Sequence, residues 1–284
     1  MSENNPNLNI SDILGLINAA NKTLEHDVFI PSLNKEIHLK PLNANHTKNI
    51  AKAAIEGPFA QNQFTMMTYN ILKEVCDSSI PMTRLNVFDK AIILLELRVK
   101  NIKPIIDVKV YSENIYTNAE GKEYKKEEIV KVDLSKILSK IKKWKLSFEN
   151  QTIELENYLL TLNYPTVEEE YQFESNLYKT RIQNLDEKDP KALKTLFAPM
   201  FVNTLAQYVK NIKIGDNEID LQSKKVVDRL TVVESLSMNA SSKIIEKVDS
   251  VFGKQFNKIT SVEETIDGET YMGNIELSPI LFLS

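Results

Sequence analysis

Few residues in this chain have types and spacings that could do chemistry. Three histidines, His26, His38 and His46, lie close together in sequence, and a zinc site would need them joined by a carboxylate such as Asp27 or Glu36. They lack zinc-ligand spacing, so they read as exposed polar histidines. Acidic runs occur at Glu168-Glu169-Glu170 and Glu263-Glu264. Paired carboxylates work as acid and base when one is desolvated, but consecutive acids on a helix point in different directions, so these runs read as facing water. Cys76 is the one cysteine. It follows Ile71, Leu72 and Val75 on an apolar helix, where a thiol without a base is a small buried side chain. No GxxxxGK followed by Ser or Thr, no GxGxxG, no GxSxG and no HExxH is present. Arg98 interrupts an apolar helix and reads as a buried polar anchor that needs a partner or carbonyl acceptors. No catalytic, cofactor-binding or metal-ligating residue is assigned, and no enzymatic activity or cofactor is expected.

The composition agrees with that reading. The 284 residues are 42% hydrophobic and 26% charged, with 35 basic and 39 acidic side chains and a net charge of −4. That balance does not indicate a nucleic-acid partner. Lys100, Lys103, Lys140, Lys142, Lys143 and Lys145 tint the middle basic and read as a solvated surface. A single cysteine precludes an internal disulfide and suits a reducing compartment. The polar N-terminus lacks the apolar region of a secretory signal. No apolar run is long enough to span a membrane, so no membrane association is expected.

The elements that must position these residues follow from periodicity and breakers. Residues 1–10 read as a disordered tail. A helical stripe covers 10–24, with Ser11 as its N-cap. Residues 28–40 read as a hairpin turning at 32–35, and helices follow over 45–56, 61–75 and 87–101, the last stopped by Pro104. Strands are expected at 105–111, 129–134, 144–148 and 153–162, the last two joined by a turn at 149–151. Residues 118–128 form a charged loop. Helices then cover 167–182 and, with Asp189 as N-cap and Pro190 in the first turn, 190–210, bent at Pro199. A hairpin at 212–221, helices at 224–236 and 242–256 and two or three short strands at 264–283 complete the chain. The fold class is α+β: an N-terminal hairpin and helices, a central antiparallel sheet, and a mostly helical C-terminal part with short strands. Three regions result: 1–27, a polar tail and helix; 28–166, an α+β domain; and 167–284, a mostly helical domain.

Three segments stand out by their order. The first carries Ile30-Pro31-Ser32 through Lys40-Pro41-Leu42. The second opens with Phe88-Asp89 and carries Leu97-Arg98-Val99-Lys100. The third ends in Leu162-Asn163-Tyr164-Pro165-Thr166. Val227-Asp228-Arg229-Leu230-Thr231 and Ile280-Leu281-Phe282-Leu283 follow. Taken together over residues 28–284, they resemble the baseplate hub protein family of T-even-like contractile-tailed bacteriophages. The resemblance implies a structural or assembly component of the tail baseplate hub that acts by protein–protein docking. The alternative is an assembly chaperone that binds hub or tape-measure subunits and is absent from the mature virion. Implied partners are other baseplate, hub or tail-tube proteins and the tape-measure protein. The implied location is the host cytoplasm during assembly and the virion tail baseplate for a structural component.

Candidate interface residues are Ile30, Pro31, Leu33, Ile37 and Leu39 on the hairpin and Ile280, Leu281, Phe282 and Leu283 at the apolar end. Phe88, Arg98, Tyr164 and Pro165 are structural anchors. One departure concerns metal: the family often carries paired cysteines, zinc-ribbon style, in the middle loop and before the C-terminal end. The matching regions here, 111–126 and 265–274, have none. The hairpin around Gly268 is expected to hold the same shape without metal.

Overall fold

The computed structural model describes residues 10–55, 57–185 and 190–283. The expected polar tail at residues 1–9 and the N-cap role of Asp189 lie outside the described residues. The chain begins with helix α1 (Ile10–Lys22), so Ser11 lies inside its first turn rather than ahead of it. The hairpin β1 (His26–Ile30) and β2 (Lys35–Leu39) follows, pairing Val28 with Ile37. Three helices come next: α2 (Ala44–Ala54), α3 (Ala60–Val75) and α4 (Val87–Asn101). The next elements are β3 (Ile105–Ser112), the short ribbon β4 (Tyr116–Thr117) and β5 (Glu123–Tyr124), β6 (Glu127–Asp133), and α5 (Leu134–Leu138). The ribbon occupies part of the segment expected as a charged loop.

Beyond α5 lie β7 (Gln151–Glu154), β8 (Leu159–Leu162), α6 (Val167–Leu177), α7 (Pro190–Lys194) and α8 (Phe197–Tyr208). The break between α7 and α8 precedes Pro199, which sits in the first turn of α8, where its missing N–H costs nothing. The chain ends with β9 (Val209–Ile214), β10 (Asn217–Asp220), α9 (Val226–Glu234), α10 (Met238–Lys247), α11 (Lys254–Thr260), β11 (Ser261–Ile266) and β12 (Glu269–Asn274). A 3-10 turn at Pro279–Phe282 follows in place of a further strand.

The fold is α+β. The central strands are shared between two antiparallel four-stranded sheets, ordered β10-β9-β8-β7 and β11-β12-β3-β6. Each sheet joins strands from both sides of residues 166–190. β3 alternates exposed and buried along its length, as a strand with one face on the core should. β11 and β12 turn through Asp267 and Gly268, both at positive φ, as a tight hairpin requires. Gly273 lies where β12 crosses β3; a Cβ there would come within 2.4 Å of the Lys109 carbonyl oxygen.

Residues 144–148 differ from expectation. They keep the half-buried alternation of a strand but join no sheet. The side-chain amide of Gln255 takes the backbone of Ser147 instead, accepting from its N–H and donating to its carbonyl, each at 2.8 Å. The hairpin therefore lies entirely within 151–162, with Ile153 opposite Leu160. Among the described residues no helix is long and apolar enough to cross a membrane.

Candidate functional site

The first site grows from a helix cap. Asn86 stands in extended backbone before α4, and its Oδ1 accepts the Asp89 N–H at 2.9 Å. Asp89 returns the bond, its Oδ2 accepting from the Asn86 N–H at 3.0 Å, which completes a capping box. The remaining acceptor capacity of Asp89 reaches the N-terminal hairpin: Ser32 donates its N–H at 3.3 Å and its hydroxyl as well. On the other side, the Val87 N–H donates to the Pro165 carbonyl at 3.0 Å and the Val167 N–H to that of Leu85 at 2.8 Å. Segments distant in sequence, carrying Ser32, Asp89 and Pro165, thus meet at one helix end. Burial pushes the fully enclosed Asp89 carboxyl up to about 6, against the pull of its three donors.

Aromatic packing backs this junction. Phe88 meets Phe148 and Phe256 with ring centroids 5.8 and 5.3 Å apart, and Tyr164 meets Phe252 at 4.6 Å. The Tyr164 hydroxyl donates to the Phe252 carbonyl at 3.3 Å and accepts from Gln255 at 3.1 Å. At the far end of α4, the fully buried Arg98 donates from Nη1 to the Lys103 carbonyl at 3.0 Å. The expected anchors therefore occupy the core, and Arg98 has a carbonyl acceptor.

The acidic run at the start of α6 departs from its expected solvated role. Thr166 and Glu169 form a second capping box, which orients the first turn against its neighbours. Glu168 accepts from the Tyr69 hydroxyl, and Glu170 pairs with Lys90. Glu169 is buried, with Lys210 at 2.6 Å on one oxygen and Arg229 at 2.8 Å on the other. Arg229 also donates to the carbonyls of Ala206 and Val209 and lies over the Phe173 ring, 4.7 Å from its centroid. Burial works to raise Glu169, but Lys210, the Thr166 N–H and Arg229 together hold it below the usual carboxylate range.

One turn and a half further along α6, Glu174 lines a groove of about 630 Å³ between α3, α4, α6 and α8. Its donors are neutral: Asn62 at 2.7 Å, Asn203 at 2.9 Å and Gln207 at 3.1 Å. Burial raises its carboxyl above the ordinary range. Phe64, Leu94, Leu177, Leu196 and Met200 supply apolar walls.

A family model for the T4 bacteriophage base plate protein matches residues 23–268. The chain belongs to the T4 bacteriophage base plate protein family. Comparisons with curated proteins and with solved structures give no match. Membership gives the chain a structural or assembly role in the phage tail base plate, among other base plate proteins. The matched span contains the α4 junction and the Glu169 cluster, while α1 lies ahead of it.

The candidate interface residues of this base plate protein fall in two groups. Ile30, Ile37 and Leu39 point into the chain's own core, as do Leu281 and Phe282, the last 6.2 Å from the Phe64 ring. Leu33 is partly buried against the same core, and Pro31 is half-buried. Their apolar surface is already covered within this fold, which leaves only Ile280 and Leu283 exposed at the C-terminal turn. Other apolar side chains are exposed. Among them are Ile10, Ile13, Leu14, Leu16 and Ile17 along α1, and on α8 Phe201 together with Phe197 and Met200 at the groove.

The sequence signal for Glu169 and Asp89 was available as Thr-x-x-Glu and Asn-x-x-Asp spacing ahead of apolar helices. Glu174, Asn62, Asn203 and Gln207 carry no such signal, because only the packing of three helices brings them together. His38 lies between Glu25 and Asp27 at 2.9 and 3.0 Å, both raising its pKa, whereas His46, against the expected exposure, is buried, its Nδ1 accepting the Asn43 N–H at 3.2 Å and its Nε2 lying 2.8 Å from Glu74. Cys76 is buried, and its burial pushes the thiol up to about 12.

The two segments where the hub resemblance implies paired cysteines are joined here by the pairing of β3 with β12 and by the side chain of Glu269. Glu269 on β12 accepts from Ser112, from Asn114 at 3.1 Å and from Tyr116. These bonds, with Lys126 nearby, hold its pKa down to about 2. Among the described residues no group of three or more His, Cys, Asp or Glu side chains could hold a metal ion.

Proposed function

We propose that the protein is a component of the base plate hub and acts there by protein–protein docking, with no chemical step of its own. Family membership supports the base plate setting. The observation that carries the docking reading is α1. An isolated helix of 13 residues is marginal in water, and α1 leaves its apolar residues Ile13, Leu14, Leu16 and Ile17 exposed. Covering that stripe with an apolar surface of a neighbouring hub or tail-tube protein both fixes the helix and removes the stripe from water. The acidic run at the start of α6 is taken up by contacts inside the fold. Glu168, Glu169 and Glu170 each have a partner within the fold.

The test is a phage carrying Leu14→Glu with Ile17→Glu, followed by a stoichiometric count in purified particles by mass spectrometry. At least a tenfold loss of the chain from particles is expected, with the purified variant still folded. Normal incorporation would overturn the role of α1. Cross-links confined to the base plate periphery would overturn the hub assignment. A wild-type chain found with hub or tape-measure subunits in infected cells but missing from particles would replace this reading with a chaperone.

A further inference from the structure

We propose that the groove between α3, α4, α6 and α8 is a docking site for a partner protein segment that places an arginine, flanked by apolar residues, on Glu174. The proposal deepens the docking reading and rests on it. It begins from an imbalance of charge. Glu174 is a half-buried carboxylate, and among the described residues no cation forms an ion pair with it. Lys90, on the same groove wall, is held by Glu170. Arg229 and Lys210 are held by Glu169. The three groups that do bond to Glu174 are side-chain amides, which orient a carboxylate without neutralising it.

The second observation is independent. Asn62 is 8% exposed and lines the groove, yet its Oδ1 has no hydrogen-bond donor. Buried acceptors of this kind are normally satisfied. The groove therefore presents a negative carboxylate beside the unfilled amide oxygen of Asn62, a pair that calls for a ligand rich in donors and positively charged. A guanidinium supplies five N–H donors in a planar fork and is less strongly hydrated than an ammonium. Phe64, Leu94, Leu177, Leu196 and Met200 give the same lining apolar walls, alongside polar Thr65, Lys90, Glu170 and Thr204. Phe197, 71% exposed, and Met200, 46% exposed, extend that apolar wall toward solvent along α8. Apolar residues on both sides of the arginine fit this arrangement, and a free small cation would leave the walls uncovered.

The experiment uses the purified full chain and a fluorescein-labelled peptide with one arginine between two pairs of leucines and Gly-Ser ends. Its counterpart has norleucine in place of arginine. Fluorescence anisotropy should show the arginine peptide binding at least tenfold more tightly. Glu174→Gln should abolish that preference, and Met200→Glu at the rim should weaken both peptides. Butylguanidinium alone should compete only at concentrations at least a hundredfold higher than unlabelled arginine peptide. Equal affinity for the two peptides, or a preference that survives Glu174→Gln, overturns the proposal. So does butylguanidinium competing as well as the peptide, which would mark a small-cation site. If Glu174→Gln fails to fold, unchanged binding by Met200→Glu overturns it and weakened binding sustains it. The α1 substitutions should leave peptide binding unchanged. Loss of peptide preference in wild type alongside α1-dependent incorporation overturns the groove alone, and the reverse result overturns the α1 reading alone.

Discussion

Glu169 and Glu174 stand five residues apart on the same helix, both withdrawn from water, and they are treated in opposite ways. Glu169 meets two cations, Lys210 and Arg229, in a closed cluster. Glu174 meets three neutral amides beside an apolar groove. The difference appears in their acidity: the cations bring Glu169 below the usual carboxylate range in spite of burial, whereas burial prevails at Glu174 and raises it. A buried carboxylate surrounded by its own cations is complete as it stands and holds α6, β9 and α9 together. One bonded only by amides, with Lys90 nearby but held by Glu170, is the carboxylate proposed to meet a cation from outside the chain.

The sharpest way to break the comparison is to remove Glu169. Glu169→Ala leaves Lys210 and Arg229 buried without their counter-charge, and breaking one side of a buried pair typically costs about 3–5 kcal/mol. Urea unfolding should show a loss of that size, with Arg229 losing the bond at 2.8 Å that fixes it over Phe173. A loss under about 1 kcal/mol, the scale of an exposed pair, would mean that the cluster relaxes into solvent and that Glu169 is no more structural than Glu174.

Asp89 extends the comparison to a third carboxylate, enclosed by backbone and hydroxyl donors with no cation in contact. Its carboxyl is raised from 3.8 to about 6. A raised folded value means that the native state holds the proton more tightly than the unfolded chain. The resulting stabilisation is complete below the unfolded value and is lost as pH rises through about 6. Roughly two pKa units correspond to about 3 kcal/mol. Unfolding free energies of wild type and Asp89→Asn, compared from pH 4 to 7, should therefore diverge, with wild type losing about 2 kcal/mol of that total relative to the variant as pH rises. A pH-independent difference would show that the donors from Ser32 and Asn86 compensate burial fully.

These carboxylates also show how much could be read from the sequence. Helix α4 was legible to its ends, because its apolar periodicity, the cap position before Val87 and Pro104 all agree. The hairpin at Ser32 and the Asp-Gly turn at 267–268 were legible for the same local reason. Residues 144–148 were misread because alternation reports burial of one face, while pairing depends on a neighbour, and Gln255, 108 residues away, supplied the neighbour. The acidic run 168–170 was misread as solvated because its partners come from α3, α4, β9 and α9, none of them near in sequence. Apolar residues of the hairpin were read as interface candidates, although Ile30, Ile37 and Leu39 close the chain's own core. For the groove, the sequence offered nothing: Asn62, Glu174, Asn203 and Gln207 are ordinary polar residues until three helices converge.

The smallest effect is the most discriminating. Glu174→Gln replaces a carboxylate oxygen with an amide donor in a site whose other members are amides. The unfilled Oδ1 atoms of Asn62 and Asn203 supply acceptors for it once either amide turns over. No cation is stranded, and the burial that raised Glu174 no longer acts against a charge. The unfolding free energy should therefore stay within about 1 kcal/mol of wild type, the net worth of one ordinary hydrogen bond. The same exchange at Glu169 would turn an amide donor toward Lys210 or Arg229. A loss of about 3 kcal/mol or more for Glu174→Gln would place it with carboxylates whose partner is already inside the fold. A near-neutral result on stability, joined to lost arginine preference, would separate the carboxylate that holds this protein together from the one that faces its neighbour.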